Sequence, residues 1–216
     1  MVITLAQSKG GAGKSTITLN LAAVAAKSGA NVLILDTDPQ KTLTEILTVR
    51  DETSEALSNL TQFTALYTIS KDLPTQLSAL SKKFDMIFID TAGFDNALTW
   101  SLIAASDLAL IPVALGAADL LTTTKMIEKL SHVFANSPVK ARLVMNQFQP
   151  ACRYAASYKQ DIQNLAAVVP VTQTAVHARP TYKEAFAFGV GVCELLPSSA
   201  ASQEMQSLFT EITSIQ

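Results

Sequence analysis

The chain is poor in the residues that mark several common classes of protein. Its only two cysteines, Cys152 and Cys193, lie far apart and form no C-x-x-C pair. This excludes a disulfide framework and a compact cysteine metal site, and both residues are expected to be reduced thiols. Aromatic residues make up 6% and charged residues 16% of the chain, whereas hydrophobic residues make up 49%. Such an aliphatic composition is typical of parallel strands that are buried on both faces.

Long apolar stretches are also missing. No uninterrupted apolar run is long enough to cross a membrane, and no charged segment followed by an apolar stretch opens the sequence. We therefore expect a cytoplasmic protein with no signal peptide and no membrane partner. The chain has no internal repeat and no Pro/Gly-rich linker, and 216 residues are enough for one sizeable α/β domain that covers residues 1–216.

Apolar periodicity predicts strands that alternate with helices. The predicted strands cover residues 2–6, 32–36, 64–68, 86–90, 108–113, 139–146 and 168–171. The predicted helices cover residues 15–28, 42–48, 73–83, 96–105, 118–135, 152–166, 179–188 and 200–214. This order favours a doubly wound, mainly parallel α/β sheet flanked by helices. Ligands of such sheets bind beyond the carboxyl ends of the strands.

The most informative segment is a glycine-rich turn between the first strand and the first helix, with the sequence SKGGAGKST at residues 8–16. Backbone N–H groups at such a turn, together with the helix dipole, form a cradle for phosphate. The predicted nucleotide-binding residues are Gly10, Gly11, Ala12, Gly13, Lys14, Ser15 and Thr16. Lys14 would reach the β- and γ-phosphates, and the Ser15 hydroxyl would bind Mg²⁺. A turn that binds nothing is the alternative, which the flanking strand and helix disfavour.

Two acidic segments follow buried strands. DTDPQ at residues 36–40 ends the second predicted strand, and DTAG at residues 90–93 follows the apolar run MIFI. A carboxylate beside a phosphate loop can orient an attacking water or a metal-bound water. Asp90 would hold Mg²⁺ through water, because Mg²⁺ keeps much of its hydration shell. An aspartate after a strand is also a favoured helix cap, and for residues 36–40 that alternative stays open.

These motifs together resemble one family. The pattern K-G-G-x-G-K-S-T, with Lys9 as an additional cation, is similar to the deviant Walker A motif of the ParA/MinD group of ATPases. Later segments match in the same order, namely DTDPQ, DTAG, the strand ending in IPV, the strand ending at Asn146, and R-x-x-Y-x-E-A at residues 179–185. The resemblance runs from about Met1 to Val192, and it points to a small type that lacks an N-terminal helix-turn-helix domain.

The resemblance implies a P-loop NTPase fold with ATP and Mg²⁺ as cofactors. It implies a homodimer in the ATP state, in which Lys9 touches the phosphates bound by the other subunit. The implied catalytic residues are Lys9, Lys14 and Asp38, with Asp38 positioning the lytic water. Ser15, Asp36 and Asp90 would serve the metal, and Asn146 would read the adenine edge. A ParB-like or other cargo-adaptor protein would stimulate hydrolysis, so that the ATPase cycle segregates a plasmid or chromosome. The alternative is a MinD-like or other ATPase that positions a protein complex.

The charge distribution is uneven. Residues 121–183 carry eight Lys or Arg against two acids, although the whole chain has a net charge of −2. A local basic surface can hold duplex DNA through its phosphates without reading sequence, as the resemblance also implies for a nucleoid-associated protein. The candidate DNA-binding residues are Arg153, Lys159, Arg179 and Lys183. Lysines scattered over solvated helix faces remain the alternative.

Two further alternatives concern the tail and the cysteines. A MinD-like ATPase would end in a basic amphipathic helix on anionic lipid, whereas residues 198–216 carry Glu204 and Glu211 and no Lys or Arg. We therefore expect this helix to dock on the domain. Reductase-type and scaffold-type relatives need paired cysteines, and a tyrosine kinase of this group would have a tyrosine-rich tail. The chain has neither feature.

Overall fold

A computed structural model describes residues 1–54, 57, 60–93, 95–134 and 140–215. In these residues six strands form one sheet in the order β3-β2-β4-β1-β5-β6, and every neighbouring pair is parallel. The strands are β1 Val2–Leu5, β2 Val32–Asp36, β3 Thr64–Tyr67, β4 Met86–Asp90, β5 Leu108–Val113 and β6 Lys140–Met145. The predicted doubly wound parallel sheet is thereby confirmed.

Helices cover both faces of the sheet. They are α1 Lys14–Lys27, α2 Thr42–Ser54, α3 Leu73–Leu80, α4 Ala97–Ala104, α5 Ala117–Phe134, α6 Ala155–Leu165, α7 Pro180–Ala187, α8 Val192–Leu195 and α9 Ala200–Thr213. Side chains alternate along each strand, so that Phe88 points to one face while Ile87 and Ile89 point to the other. The first face packs against α1, α2, α7, α8 and α9, and the second against α3, α4, α5 and α6.

The predicted seventh strand at residues 168–171 is wrong. Only Val171 forms a bridge, to Leu143 of β6, where the Leu143 N–H donates to the Pro170 carbonyl and the Thr172 N–H donates to the Leu143 carbonyl. Pro170 has no N–H to continue a ladder, so an apolar run that resembles a strand gives one bridge. The sequence also did not predict α8, and it ended α2 at residue 48 instead of Ser54. The predicted bounds at residues 135 and 139 lie outside the described residues.

The C-terminal helix α9 docks on the domain, as expected. Met205, Leu208 and Ile212 are fully buried against α1 and its neighbours. The two glutamates on this helix face the protein instead of solvent: Glu211 accepts from the N–H groups of residues 173 and 174, and Glu204 accepts from the N–H of residue 177. Among the described helices, none has the length and apolar character that a membrane span requires.

A buried ion pair joins α2 to the C-terminal part of the chain. Nη2 and Nη1 of Arg50 donate to the Glu194 carboxylate, at 2.6 and 2.9 Å, and the ring centroid of Phe63 lies 4.4 Å from the guanidinium carbon. The N–H groups of Thr61 and Gly191 also donate to Glu194. Burial by itself would raise the pKa of Glu194, but the hydrogen bonds and charge of Arg50 outweigh it, and the net pKa is lowered. Glu194 is therefore ionised in the folded protein.

Replacement of Glu194 by Gln should reduce the free energy of unfolding at pH 7 by about 3 kcal/mol, because it leaves the Arg50 charge buried without its partner. In the wild type the contribution of Glu194 is present above its ordinary pKa of 4.5 and is lost as the pH falls through the lower folded-state pKa. Urea denaturation at pH 7 and at pH 4 measures both effects. Glu184→Gln, on the exposed side of α7, is the control and should change little; equal stability of the two variants would contradict the assigned role of the pair.

Candidate functional site

The glycine-rich turn has the backbone of a phosphate-binding loop. It connects β1 to α1, and α1 begins at Lys14 directly after Gly13. Gly11 and Gly13 have φ angles of 77° and 94°, which side-chain-bearing residues rarely adopt. A Cβ atom on Gly13 would also lie 2.1 Å from Nδ2 of Asn146. Glycine at residue 13 is therefore required by both conformation and space.

The Lys14 side chain is a buried cation in the phosphate loop. Lys14 is buried, and burial lowers the pKa of its ammonium group although the charges of Asp90 and Asp38 act in the opposite direction. No salt bridge in the described part of the chain holds it. A buried ammonium without a close counter-ion is costly, and phosphate oxygens in the loop would supply the missing charge.

Asp90 and Ser15 meet beside Lys14. Asp90 is almost fully buried, which raises the pKa of its carboxyl to about 7, while a hydrogen bond with Ser15 acts to lower it. Atom Oδ1 of Asp90 is buried and has no hydrogen-bond partner among the described residues. A buried carboxylate oxygen without a donor suits a hydrated Mg²⁺, whose bound waters donate hydrogen bonds. The residues present therefore fit the metal that the motif implies.

The end of β2 and the turn that follows it bring two more carboxylates, Asp36 and Asp38, to the same edge. Asp36 lies opposite Asp90 in the register of β2 and β4. Its Oδ1 accepts from the N–H of Asp38, and its Oδ2 accepts from the N–H and hydroxyl of Thr44 at 2.9 and 2.6 Å. Asp36 thus caps the first turn of α2 and holds the turn that carries Asp38, in line with the helix-cap alternative. Its part in the metal shell stays a prediction.

Asp38 lies within electrostatic reach of Lys14 and Asp90. Its Oδ1 accepts from the N–H of Gln40 at 2.9 Å, which fixes the side chain in a tight turn. The structure therefore brings together Lys14, Ser15, Asp36, Asp38 and Asp90, which are five of the residues predicted for metal binding and catalysis.

Lys9 lies at the mouth of the loop and is bound within its own chain. Its Nζ atom is 2.6 Å from Oδ2 of Asp119 in the first turn of α5. The Lys9 side chain is 38% exposed, whereas the Asp119 side chain is only 11% exposed, so solvent screens the pair mainly on the lysine side. Gln7 ties the same two elements together, because its Nε2 donates to Thr123 on α5 and to the Pro112 carbonyl. Lys9 thus reaches solvent, whereas its partner Asp119 is buried in the protein.

Asn146 contacts the loop backbone instead of open space. It is buried, and its Nδ2 donates to the Ala12 carbonyl at 2.6 Å. The next residue, Gln147, donates from Nε2 to the Gly11 carbonyl at 2.9 Å. One N–H of this amide is engaged by the loop, and the predicted reading of adenine by Asn146 stays a prediction.

The candidate DNA-binding residues are not in one patch. Arg153 lies just before α6 and Lys159 lies in α6, whereas Lys183 lies in α7. The helices α6 and α7 pack on opposite faces of the sheet. All three are exposed and form no salt bridge with the described residues. Arg179 donates from Nε and Nη2 to Glu204 at 2.9 and 2.6 Å, so its charge is compensated internally.

Sequence reasoning missed Gln7, Asp119 and Gln147. Gln7 is a polar residue at the end of an apolar strand, directly before the loop, and this position was a usable signal. Asp119 begins a helix 110 residues after Lys9, and Gln147 reaches the loop across a similar separation. No local pattern connects such pairs, because the strand order brings them together.

This geometry defines a P-loop nucleotide-binding site with a second lysine at its mouth. A family model, the CobQ/CobB/MinD/ParA nucleotide binding domain, matches residues 3–192. The chain belongs to this family, and the ParA/MinD membership predicted from the motifs is confirmed.

Several relatives agree with this assignment. The maintenance of carboxysome distribution protein A of Halothiobacillus neapolitanus is 30% identical over 97% of this chain and 95% of that protein. The chromosome-partitioning ATPase Soj of Thermus thermophilus is 32% identical over 51% of this chain and 53% of that protein. The structure of apo McdA from Cyanothece superposes with a TM-score of 0.78 at 18% identity, covering 98% of both chains, which shows the shared fold.

Substitution of Gly13 by Ala should reduce nucleotide affinity by more than about tenfold, because the added methyl group meets the Asn146 amide and the φ angle disfavours alanine. Titration with a fluorescent ATP analogue measures the effect. Gly29→Ala is a matched control: its φ angle is 91°, and an added Cβ would meet nothing within 4 Å. It should lose stability but keep its affinity. Equal affinity of the two variants would show that the geometry at Gly13 is not needed.

Proposed function

We propose that this protein is an ATP- and Mg²⁺-dependent cargo-positioning ATPase that acts as an ATP-bound sandwich dimer on non-specific DNA in the cytoplasm. The observation that carries the proposal is the placement of Lys9. A cation at the mouth of a P-loop, with a partly exposed side chain and one ion pair among the described residues, is suited to reach the nucleotide of a facing subunit. Family membership over residues 3–192 supports the same conclusion.

The loop supplies positive charge and N–H donors for the phosphates of ATP. Lys14 is directed to the phosphates from the first turn of α1, and its burial strengthens its attraction to an anion. Ser15 and Asp90 would hold Mg²⁺, which when bound neutralises charge on the phosphate oxygens. Hydrolysis in this class of site depends on positioning and charge neutralisation more than on a strong base.

Asp38 is the residue assigned to water. Its carboxylate is fixed by the turn to Gln40 and lies near the Lys14 ammonium that binds the phosphates. In this position it would orient a water for in-line attack on the γ-phosphate, from which the leaving group is ADP. Its position is set by Asp36, which holds the N–H of Asp38 and caps α2.

Lys9 would exchange Asp119 for the phosphates of the facing subunit when the dimer forms. Because Asp119 is buried, leaving it unpaired costs free energy, and the more highly charged phosphates in a closed interface would supply the compensating attraction for Lys9. The nucleotide-free monomer and the ATP dimer are then two states that differ in the partner of one lysine. Hydrolysis, stimulated by a ParB-like or other cargo adaptor, would return the chain to the first state.

Non-specific DNA is the proposed support for the dimer. The exposed cations Arg153, Lys159 and Lys183 supply phosphate contacts, whereas Arg179 is compensated by Glu204 and would contribute less. A two-fold dimer doubles the number of contacts, so that DNA affinity depends on the ATP state.

A protein assembly is the first candidate for the cargo, and a plasmid or chromosome is the second. The carboxysome-distribution relative matches nearly all of this chain, whereas the chromosome-partitioning Soj matches about half of it. Plasmid or chromosome segregation is the second candidate, and the ATPase cycle is the same for both. A pull-down with the ATP-bound dimer, which retains either an adaptor of a protein assembly or a centromere-binding protein, separates the two.

Lys9→Ala should remain monomeric with ATP and Mg²⁺, whereas the wild type should become a dimer and then co-sediment with random duplex DNA. Sedimentation velocity with and without each component measures this. Lys82→Ala removes a lysine from the opposite end of the sheet, just before β4, and should behave as wild type. Dimerisation of Lys9→Ala would overturn the proposed role of Lys9.

Combined Arg153→Ala and Lys159→Ala substitutions should lower the salt dependence of DNA binding, measured as the slope of the logarithm of the binding constant against the logarithm of the salt concentration, by about one unit per lost contact.

Asp38→Ala should bind ATP and dimerise normally but lose turnover by roughly a hundredfold, because the attacking water is no longer oriented. Phosphate release in the presence of ATP, Mg²⁺ and DNA measures turnover, and sedimentation confirms the dimer. Asp161→Ala, on the exposed side of α6, is the matched control for loss of a carboxylate. Normal turnover by Asp38→Ala would show that another residue positions the water.

A further inference from the structure

Two consecutive side-chain amides at the end of β6 hold two consecutive carbonyl groups of the phosphate loop. Asn146 donates to the Ala12 carbonyl at 2.6 Å, and Gln147 donates to the Gly11 carbonyl at 2.9 Å. These residues are more than 130 positions apart in the chain. The contacts therefore join the end of β6 to the turn after β1, across the intervening strand β5.

The contacts fix the direction of the loop N–H groups. A peptide unit is planar and trans, so its C=O and N–H point in opposite directions. When the carbonyl of Gly11 is held on the β6 side, the N–H of Ala12 points away from β6. The carbonyl of Ala12 fixes the N–H of Gly13 in the same way. Two donors of the phosphate cradle are thereby oriented before any ligand arrives.

The backbone that carries each amide is fixed, although the Gln147 side chain is exposed. Asn146 is 5% exposed, and its backbone N–H donates to the Val113 carbonyl at 2.9 Å. Gln147 has a φ angle of 53°, which is unfavourable for a residue other than glycine, and the neighbouring Phe148 is tied by its N–H to the Val176 carbonyl. A residue kept in a strained conformation, with its side chain on a binding loop, indicates a functional constraint.

We propose that Asn146 and Gln147 are positioning residues for the polyphosphate, which act through the carbonyls of Gly11 and Ala12 and independently of the base. This inference rests on the proposed ATP binding and deepens it. It differs from the reading of adenine predicted for Asn146, because it assigns to that amide a contact with the loop backbone instead of a contact with a base. Any ligand with a triphosphate, with or without a base, should depend on both side chains.

The experiment compares Mg-ATP, Mg-GTP and magnesium tripolyphosphate by isothermal titration on the wild type and on Asn146→Ala. We expect Asn146→Ala to lose about tenfold in affinity for all three ligands, since one hydrogen bond to the loop is removed. Tripolyphosphate has no base, so a loss of affinity for this ligand reports on the phosphate loop alone. Unchanged tripolyphosphate binding with weaker ATP binding would overturn the inference and make Asn146 a base reader.

Gln147 is exposed, so it can be replaced without disturbing the packing of the core. Gln147→Gly removes the amide but relieves the unfavourable φ angle, so thermal stability should stay equal or rise while tripolyphosphate affinity falls by about threefold or more. A purely structural role would move stability and affinity in the same direction. Gln147→Glu keeps the shape but cannot donate, and it should weaken binding at least as much.

Gln149→Ala, an exposed glutamine two residues further on, is the matched control and should bind all three ligands as the wild type does. Wild-type affinity for tripolyphosphate in Gln147→Gly and Gln147→Glu would overturn the inference while ATP binding by the wild type still supported the proposed function. Absence of ATP and tripolyphosphate binding by the wild type would overturn both.

Discussion

The burial of one ammonium group among carboxylates is the constraint on which the site depends. Lys14 is almost completely removed from solvent, and Asp38 and Asp90 contribute charge around it without pairing closely. Water cannot fully solvate this lysine, and a bound anion would compensate its charge. The glycine angles, the cap at Asp36 and the amides after β6 all serve to keep the backbone around this charge in place.

A second support runs from the C-terminal helix to the same loop. Glu204 on α9 accepts from the backbone N–H and the imidazole of His177. His177 forms a β-bridge with Phe148, which is the residue after Gln147. Gln147 in turn holds the Gly11 carbonyl. Members of this chain of contacts are partly exposed, and Gln147 is exposed, but each contact restricts the position of the next segment. The acidic residues of the tail are therefore part of the scaffold of the site.

Much of the fold and the central site could be predicted from the sequence, because those features depend on local patterns. Apolar runs located the six strands, and the spacing of Lys9, Lys14 and Ser15 identified the loop. Contacts between distant segments could not be predicted. Neither the pair of Lys9 with Asp119 nor the engagement of Asn146 by the loop has a local signal, and residues 168–171 resembled a strand although Pro170 prevents a ladder.

The pairing of Lys9 also has a consequence for the encounter of two monomers. In a two-fold arrangement the same surface approaches itself, and two bare lysines at the loop mouths would meet as like charges. With Asp119 at 2.6 Å, each mouth presents a neutral pair until the lysine changes partner. In the proposed dimer, mutual repulsion at long range would thereby be reduced, and the attraction of Lys9 for phosphate would become available only once the two faces are close.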